Sequence, residues 1–520
     1  MHVEQAAASD ELVLGLDVGT YSTKGVLCTP GGTIMATHVV EHGLSVPQPG
    51  WAEHDADGIW WAGCAAVCRA LLDHLRHPAQ VRAVALSAIG PALLPVGADG
   101  RPLRPAILYG IDTRAAAEIA DLTALYGEEA LLRYSGSALT TQAIGPKILW
   151  LRRHEPAVFA KTRWFHGATS YLVYRLTGEV VMDRYTASSF TPLFDLHAGT
   201  WSGRFAAETC ALDRLPPLRW SSEIGGAVTA AASAETGLAP GTPVTVGTVD
   251  AMAEALSAGV IGPGDVMLMY GTTTFFISVS AQPIVDSRLW SYSHALPGLS
   301  TLAAGMSTTG ALTRWLRDVA AADLLADEAA GGPSAFASLS REAQAVEPGS
   351  MGLVLLPYFS GERTPIHDPA ARGVIAGLTL AHTRGHLYRA ALEGVAYGIR
   401  HNLETMREAG APATRLVAVG GGAQSALWLR IASDVCGLPQ DVPEQTIGAA
   451  YGDAFLAAHA AGLVTGPDAL RRSWVRIARR VEPNPVTQAL YEPYYSAYHH
   501  LRRATAEVQH ILSTLAANGR

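Results

Sequence analysis

Cysteine is scarce in this chain, with five residues in 520: Cys28, Cys64, Cys68, Cys210 and Cys436. Only Cys64 and Cys68 stand close together, at the i, i+4 spacing of a helix, and no second pair of ligand spacing accompanies them. They read as buried free thiols, which excludes a disulfide framework and argues against a zinc or redox site. Basic runs are missing as well. Charged residues make up 16% of the chain and the net charge is −8, the opposite of a surface that tracks nucleic acid or an anionic membrane. No segment approaches the roughly 18 uninterrupted apolar residues of a membrane-spanning helix. The opening MHVEQAAASDE carries acids where a secretory leader has an apolar segment, so the expected compartment is the cytoplasm. Neither GxxxxGK[ST] nor GxGxxG occurs, which excludes the P-loop and Rossmann modes of nucleotide binding.

What is present is apolar material for more than one core. The chain is 49% hydrophobic and has 52 glycines and 30 prolines, so two or more domains with many turns are expected. Residues 12–27, LVLGLDVGTYSTKGVL, read as two apolar strands joined by a turn of glycine and small hydroxyl residues. A third strand can occupy residues 33–41. Asp55 can cap a helix through Ile59, Trp60 and Leu71, and VRAVALSA at 81–88 returns as a strand. Much later VMLMYGTTTFFISVS, residues 266–280, repeats the strand, hydroxyl-rich turn and strand. The spacing predicts a degenerate internal duplication. Breakers in GVIGPGD place the boundary near 260–264, giving domains at 11–260 and 261–485 and a helical tail at 486–520. A long helix is expected over 383–408, where Leu387, Ala390, Ala391, Gly394, Val395, Gly398 and Ile399 share a face. Residues 326–340, rich in Ala, Gly and Ser, are expected to form a surface insertion.

The turns suggest chemistry. A glycine turn between antiparallel strands can aim several N–H groups and hydroxyls into one concavity, a nest for phosphate. Thr20, Ser22 and Thr23 add donors and Lys24 a positive charge. Asp17 would repel phosphate unless a divalent cation lies between them, since a carboxylate can hold hydrated magnesium that in turn bridges phosphate oxygens. A plain hairpin, with Asp17 capping local N–H groups, fits the same residues. A third glycine cluster, RLVAVGGGAQSALWLR at 415–430, follows a strand and opens a helix, where the backbone can approach a ring or ribose. In TPVTVGTVDAMAEALSAGV, residues 242–260, Asp250 stands between a strand and an Ala-rich helix. It reads either as an N-cap, the more ordinary role, or as a base for a substrate hydroxyl.

Together these segments resemble the FGGY family of carbohydrate kinases over residues 11–483. The most specific match is GVIAGLTLAHTRGHLYRAALE at 373–393, which fits G-x-φ-x-G-φ, a seven-residue gap, then H-φ-x-x-A-A-φ-E. LDVGTYSTKG, PGWAEHD, LPYFSGERTP, MYGTTT and VGGGAQS also match, and GPKILWL at 145–151 keeps its Lys and Trp but follows Ile144 in place of a small or hydroxyl residue. The resemblance implies an α/β protein of two ribonuclease-H-like domains, of the actin and heat-shock-chaperone ATPase type, with a cleft between them. It implies ATP and Mg2+ as cofactors, with Asp17 on the metal and Gly19, Thr20 and Lys24 facing the terminal phosphates. Gly271 and Thr272 would form the second phosphate loop, and Gly310, Gly421 and Gly422 would line the nucleotide pocket. Asp250 becomes the catalytic base, against the cap reading.

The acceptor side is placed at Gly90, Tyr109 and Asp250. There the chain departs from its xylulose-kinase-like relatives. Ile89, Gly90 and Pro91 offer no side-chain hydrogen bonds, Tyr109 replaces Trp in YGIDTR, and Ala251 follows the base where an amide is usual. The expected reaction is ATP-dependent phosphorylation of a sugar or polyol hydroxyl, with a xylulose-like ketose as acceptor. The expected partners are the small-molecule substrate and, by family habit, a second copy in a homodimer, with no nucleic acid and no membrane. One rival is a sugar- or nucleotide-binding regulator of the same fold that has lost catalysis. Another is a chaperone- or actin-like ATPase, for which no peptide-binding segment follows Pro483. Glu53, Asp112, Arg114, Glu362 and Arg363 read equally as ion pairs or ligand contacts.

Overall fold

The structure, a computed structural model, describes residues 11–445 and 447–518. The first ten residues of the acidic opening, and the last two of the tail, lie outside the described residues. The chain divides into two compact units, one of residues 11–263, Val279–Thr301 and Ile447–Arg476, the other of residues 264–278, 302–445 and 477–518.

In the first unit β1 (Leu12–Val18), β2 (Ser22–Cys28) and β3 (Ile34–Glu41) form an antiparallel meander. Asp55 accepts from the N–H groups of Asp57 and Gly58 and caps a π-helical turn, Ala56–Trp61, that leads into α1 (Ala62–Leu72). β4 (Val81–Ala88) then returns parallel to β1, in the order the sequence predicts. β5 (Ile224–Ala227), β6 (Pro243–Thr245) and β7 (Thr248–Val249) extend the sheet to β5-β6-β4-β1-β2-β3, with β7 also on β4. α2 (Asp250–Ser257) starts where β7 ends.

The second unit opens with β8 (Asp265–Tyr270), β9 (Thr274–Ser280), β10 (Ser300–Met306) and α3 (Gly310–Ala320). α4 (Ala335–Gln344), α5 (Arg384–Glu408), β11 (Arg415–Val419), α6 (Ala426–Cys436) and β12 (Gln440–Pro443) follow. The chain re-enters the first unit with α7 (Ala449–Ala460), then adds β13 (Ile477–Val481) and α8 (Pro485–Asn518) to the second. The second sheet carries the order β10-β9-β8-β11-β12-β13. Five of these strands repeat the pairing of the first sheet. β1–β2 and β8–β9 are antiparallel, β1–β4 and β8–β11 parallel, β4–β6 and β11–β12 parallel, β5–β6 and β12–β13 antiparallel. The duplication read from two turns therefore extends through both sheets.

Strand alternation sorts β1 into two faces. Leu12, Leu14, Leu16 and Val18 enter one core with Cys64, Val67, Cys68 and Leu71 of α1, and the five cysteines are free thiols. The other face presents Val13, Gly15 and Asp17, paired with Ala83, Ala85 and Ser87 of β4. Small side chains there let α7 approach at backbone distance: a Cβ on Gly15 would lie 1.9 Å from the Ala450 carbonyl oxygen.

α5 matches its expected span and is buried on nearly all sides. α8 is one continuous helix, held by Tyr491, whose hydroxyl donates to Glu393 of α5 at 2.9 Å. The Ala/Gly/Ser-rich stretch 326–340 is not a surface insertion throughout. Its second half enters α4, where Ala335, Ser338, Leu339 and Ala343 are buried. Ala335, Leu339 and Ala343 at a spacing of four supply an apolar face too small to stand out from the composition. Among the described residues no helix is long and apolar enough to cross a membrane.

Candidate active site

The end of β1 places Asp17 in a row of registered neighbours. Lys24 of β2 pairs with it on one side, Ser87 of β4 on the other, and Thr248 of β7 is registered with Ser87. The turn closes through Gly19 N–H to the Ser22 carbonyl at 2.9 Å, leaving Thr20 and the exposed Tyr21 at its tip. Thr20 Oγ1 lies 3.4 Å from the Tyr109 hydroxyl, so a phosphate-loop candidate and an acceptor candidate meet. Asp17 is buried and its Oδ1 has no hydrogen-bond partner among the described residues. That is the condition of an oxygen suited to a hydrated cation, and this oxygen caps no local N–H group. No group of three or more His, Cys, Asp or Glu is arranged to hold a metal among the described residues, so a cation here would depend on few carboxylates plus water and phosphate, as magnesium can.

Asp250 occupies the first position of α2, and the N-cap is Val249. Its Oδ1 accepts from the adjacent Ala251 N–H at 2.7 Å, which orients the carboxylate without making it the helix cap. Burial, then the charges of Asp17 and Glu254, push its proton affinity well above the ordinary carboxylate range, with Lys24 opposing. Burial likewise raises Asp17 to about 6 and Glu254, one helical turn beyond Asp250, to about 7. A fourth acid, Asp453 of α7, is fully buried and accepts from Ser87 Oγ at 2.6 Å. Burial raises it as well, and Asp17 and Asp250 add to the effect. Sequence reasoning missed Glu254, Asp453 and Ser87. Spacing of i, i+4 from Asp250 could have flagged Glu254, and a single acid inside the apolar run GAAYGDAFLAA could have flagged Asp453. Tyr185, buried and stacked on Tyr292 with ring centroids 5.3 Å apart, is pushed well above the ordinary tyrosine range by burial, with Tyr292 and then Asp250 adding to the effect.

The acceptor candidates border this cluster. A Cβ on Gly90 would stand 2.7 Å from Val249 Cγ2, so glycine lets the end of β4 pass against the residue before Asp250. The Tyr109 segment is held from behind by buried Lys147, whose ammonium donates to the Leu108 and Tyr109 carbonyls at 2.5 and 3.3 Å. Burial draws Lys147 down to about 7. Asp112 accepts from Ala52 N–H at 2.7 Å and pairs with Arg114, which also pairs with Glu53 at 2.8 Å and lies 3.9 Å over Trp51. Asp112, Arg114 and Glu53 are thus a buried network that braces the loop.

In the second unit, Gly271 and Thr272 form the turn between β8 and β9, and the start of α3 docks on it. Gly310 N–H donates to the Gly271 carbonyl at 3.0 Å, and Ala311 N–H to that of Thr272 at 3.1 Å. A Cβ on Gly310 would be 2.6 Å from the Gly271 oxygen, so this contact requires glycine. Gly421 and Gly422 follow β11, with Gly422 against Tyr270 and Trp428. All five predicted residues of this unit, Gly271, Thr272, Gly310, Gly421 and Gly422, line one cavity of about 860 Å³, within the size range of small-molecule sites. Phe336, Ser340 and Arg341 of α4 line it as well, the first two from the stretch that composition assigns to the surface.

Glu362 and Arg363 serve structure in the same unit. Glu362 accepts from the N–H groups of Ser307 and Arg363 at 2.6 and 2.8 Å, and the Arg363 guanidinium donates to the Met306 carbonyl at 2.9 Å. Burial raises Glu362 to about 7. The folded state therefore holds a proton there that the unfolded chain releases near 4.5, and this contribution to stability fades as pH rises through 7. Glu362→Gln keeps the accepting oxygen and has no charge to bury. Its Tm is expected to match the parent below pH 4.5 and to exceed it increasingly up to about pH 7, as followed by thermal melts across that range. A gap that stays constant with pH would contradict the assignment.

Residues 12–257 match the N-terminal domain of the FGGY family of carbohydrate kinases, and residues 266–461 match its C-terminal domain. The chain is 31% identical over 464 residues to a xylulose kinase of Escherichia coli strain K12, with 88% of this chain and 91% of the relative covered. It is 30% identical over 480 residues to a glycerol kinase of Nocardia farcinica, covering 89% and 92%. The crystal structure of xylulose kinase from Rhodospirillum rubrum superposes with a TM-score of 0.88 at 34% identity, covering 96% of this chain and 100% of that one.

Proposed function

The chain belongs to the FGGY family of carbohydrate kinases, enzymes that phosphorylate a sugar hydroxyl, and from that premise we propose that it transfers the γ-phosphoryl group of ATP to a ketose of the xylulose kind. Asp250 accepts the proton of the acceptor hydroxyl, whose oxygen forms the new bond to phosphorus as the bond to the β-phosphate oxygen breaks and ADP leaves. The observation that carries this reading is the state of Asp250. It is a carboxylate at a strand end, oriented by Ala251 N–H and made more basic by burial and by Asp17. A general base works best when its pKa lies near the working pH.

Asp17, with its unpartnered oxygen, would hold hydrated magnesium. When bound, magnesium offsets the negative charge that builds on the transferring phosphoryl group. Gly19, Thr20 and Lys24 supply donors and charge to the terminal phosphates, and Gly271 and Thr272 supply a second set. Gly310, Gly421 and Gly422 seat the rest of the nucleotide in the cavity they line. Gly90 and Tyr109 border the acceptor. The first unit accordingly carries the acceptor and the second the nucleotide, in the cytoplasm.

The choice of a ketose over a polyol rests on the xylulose kinases of E. coli and R. rubrum, against a glycerol kinase at nearly equal identity. The deciding measurement is ADP release with Mg·ATP across a panel of ketoses, aldoses and polyols. Turnover is expected on pentuloses, xylulose foremost. Turnover on polyols alone would overturn the substrate. Sugar binding with no release above the acceptor-free background would favour the regulatory reading instead.

A further inference from the structure

The strand-end cluster holds more acid than the proposed reaction uses. Asp17, Asp250, Glu254 and Asp453 act on one another, burial is the largest influence on each, and Lys24 is the cation that offsets the first three. Two of the four have a buried oxygen with no hydrogen-bond partner among the described residues, Asp17 Oδ1 and Asp453 Oδ1. The fold puts them on the same side of the first sheet. Asp17 shares a strand face with Gly15, on which α7 is seated, and Asp453 is borne by α7 itself. Ser87, the registered neighbour of Asp17, donates to Asp453 Oδ2 at 2.6 Å. That bond fixes one oxygen and leaves the other to a ligand. A fully buried carboxyl oxygen with nothing to accept is costly to keep, and the alanines around it in α7 show that a small apolar side chain packs in this helix without that cost.

We infer that Asp453 is a second carboxylate of the cation seat, sharing the hydrated divalent ion with Asp17 while Ser87 sets its orientation. The inference rests on the kinase reading and adds to it a residue of this chain. Magnesium is commonly bound through one or two carboxylates, several waters and substrate phosphates, so two oxygens at one strand end are a sufficient protein contribution. They also bring the negative charge that a divalent cation would balance.

The test is Mn2+ binding to the full-length protein without sugar or nucleotide, read from loss of the free-ion electron paramagnetic resonance signal, together with the rise in Tm on adding Mg2+. Asp453→Asn keeps the acceptor for Ser87, and Asp453→Ala stands in should the amide misfold. Both are expected to weaken Mn2+ binding about 10–100-fold and to shrink the Mg2+-induced rise in Tm. In metal-free buffer they should melt no lower than the parent, since each removes a buried group that lacks a counter-charge. Asp17→Asn is measured alongside. Loss of the ion in that variant, with both Asp453 variants within about twofold of the parent, would overturn the inference and leave the kinase reading intact. Mn2+ retained by Asp17→Asn, or left free by the parent, would overturn it together with the role given to Asp17.

Discussion

Asp250→Asn is expected to lower kcat by about three orders of magnitude while the acceptor KM changes little and ATP still binds. The asparagine keeps the size of the side chain and an oxygen to accept from Ala251 N–H, so α2 should start as before. What it lacks is a site for the proton that the acceptor hydroxyl must lose. Neighbouring acids give no easy substitute, because Glu254 lies a turn further along α2 and Asp453 is held by Ser87. The parent should also show an acid limb in its kcat/KM profile at a pH above that of an ordinary carboxylate. The base acts only when ionised, and burial with Asp17 raises its pKa, so activity falls as pH drops through that raised value. Stopped-time ADP assays over pH, on parent and variant, check both points. Retention of a tenth or more of the parent kcat would remove Asp250 from the base role.

The parts of the site legible in the sequence are those written into one short segment. Strand–turn–strand with Gly-Thr is local chemistry, so Asp17, Gly19, Thr20, Gly271 and Thr272 could be found from two decapeptides, and the structure does put Gly271 and Thr272 in one cavity with Gly310, Gly421 and Gly422. What stayed hidden depends on contacts between distant segments. Ser87 and Asp453 are 366 positions apart, and no local pattern joins them. α4 reads as a surface insertion because its buried face is mostly alanine and serine, yet it lines the cavity of the second unit. Asp250 looked like a cap since carboxylates are common there, and only the backbone angles of Val249 show that the cap lies one residue earlier. The network of Asp112, Arg114 and Glu53 was ambiguous for a related reason. Charged residues look alike in sequence until burial and partners are known.

That distant seat makes Gly15→Ala the most disruptive single methyl group expected in the first unit. The added Cβ would lie 1.9 Å from the Ala450 carbonyl oxygen and 2.5 Å from the Ala454 nitrogen. Both are backbone atoms of a helix, so no side-chain rotation relieves the clash and α7 must lift as a body. Lifting is opposed on its other flank, where Gly452 lets α7 lie so close to α2 that a Cβ would be 2.1 Å from the Ala253 carbonyl. The displacement would also pull Asp453 from Ser87 and disturb the end of β1 that carries Asp17. Overpacking of this kind costs about 1–3 kcal/mol, more when backbone must yield, so a loss at or above the upper end is expected, with turnover falling further than the loss of folded protein explains. Gly43→Ala is the control. Gly43 is exposed and a Cβ there would meet no atom within 4 Å, so the methyl should leave Tm and activity unchanged. A Gly15→Ala protein melting within about one degree of the parent, a shift worth roughly 0.5–1 kcal/mol in a protein of this size, would mean that α7 is not seated against β1 as tightly as its glycine demands. The shared placement of Asp17 and Asp453 would then lose its structural basis.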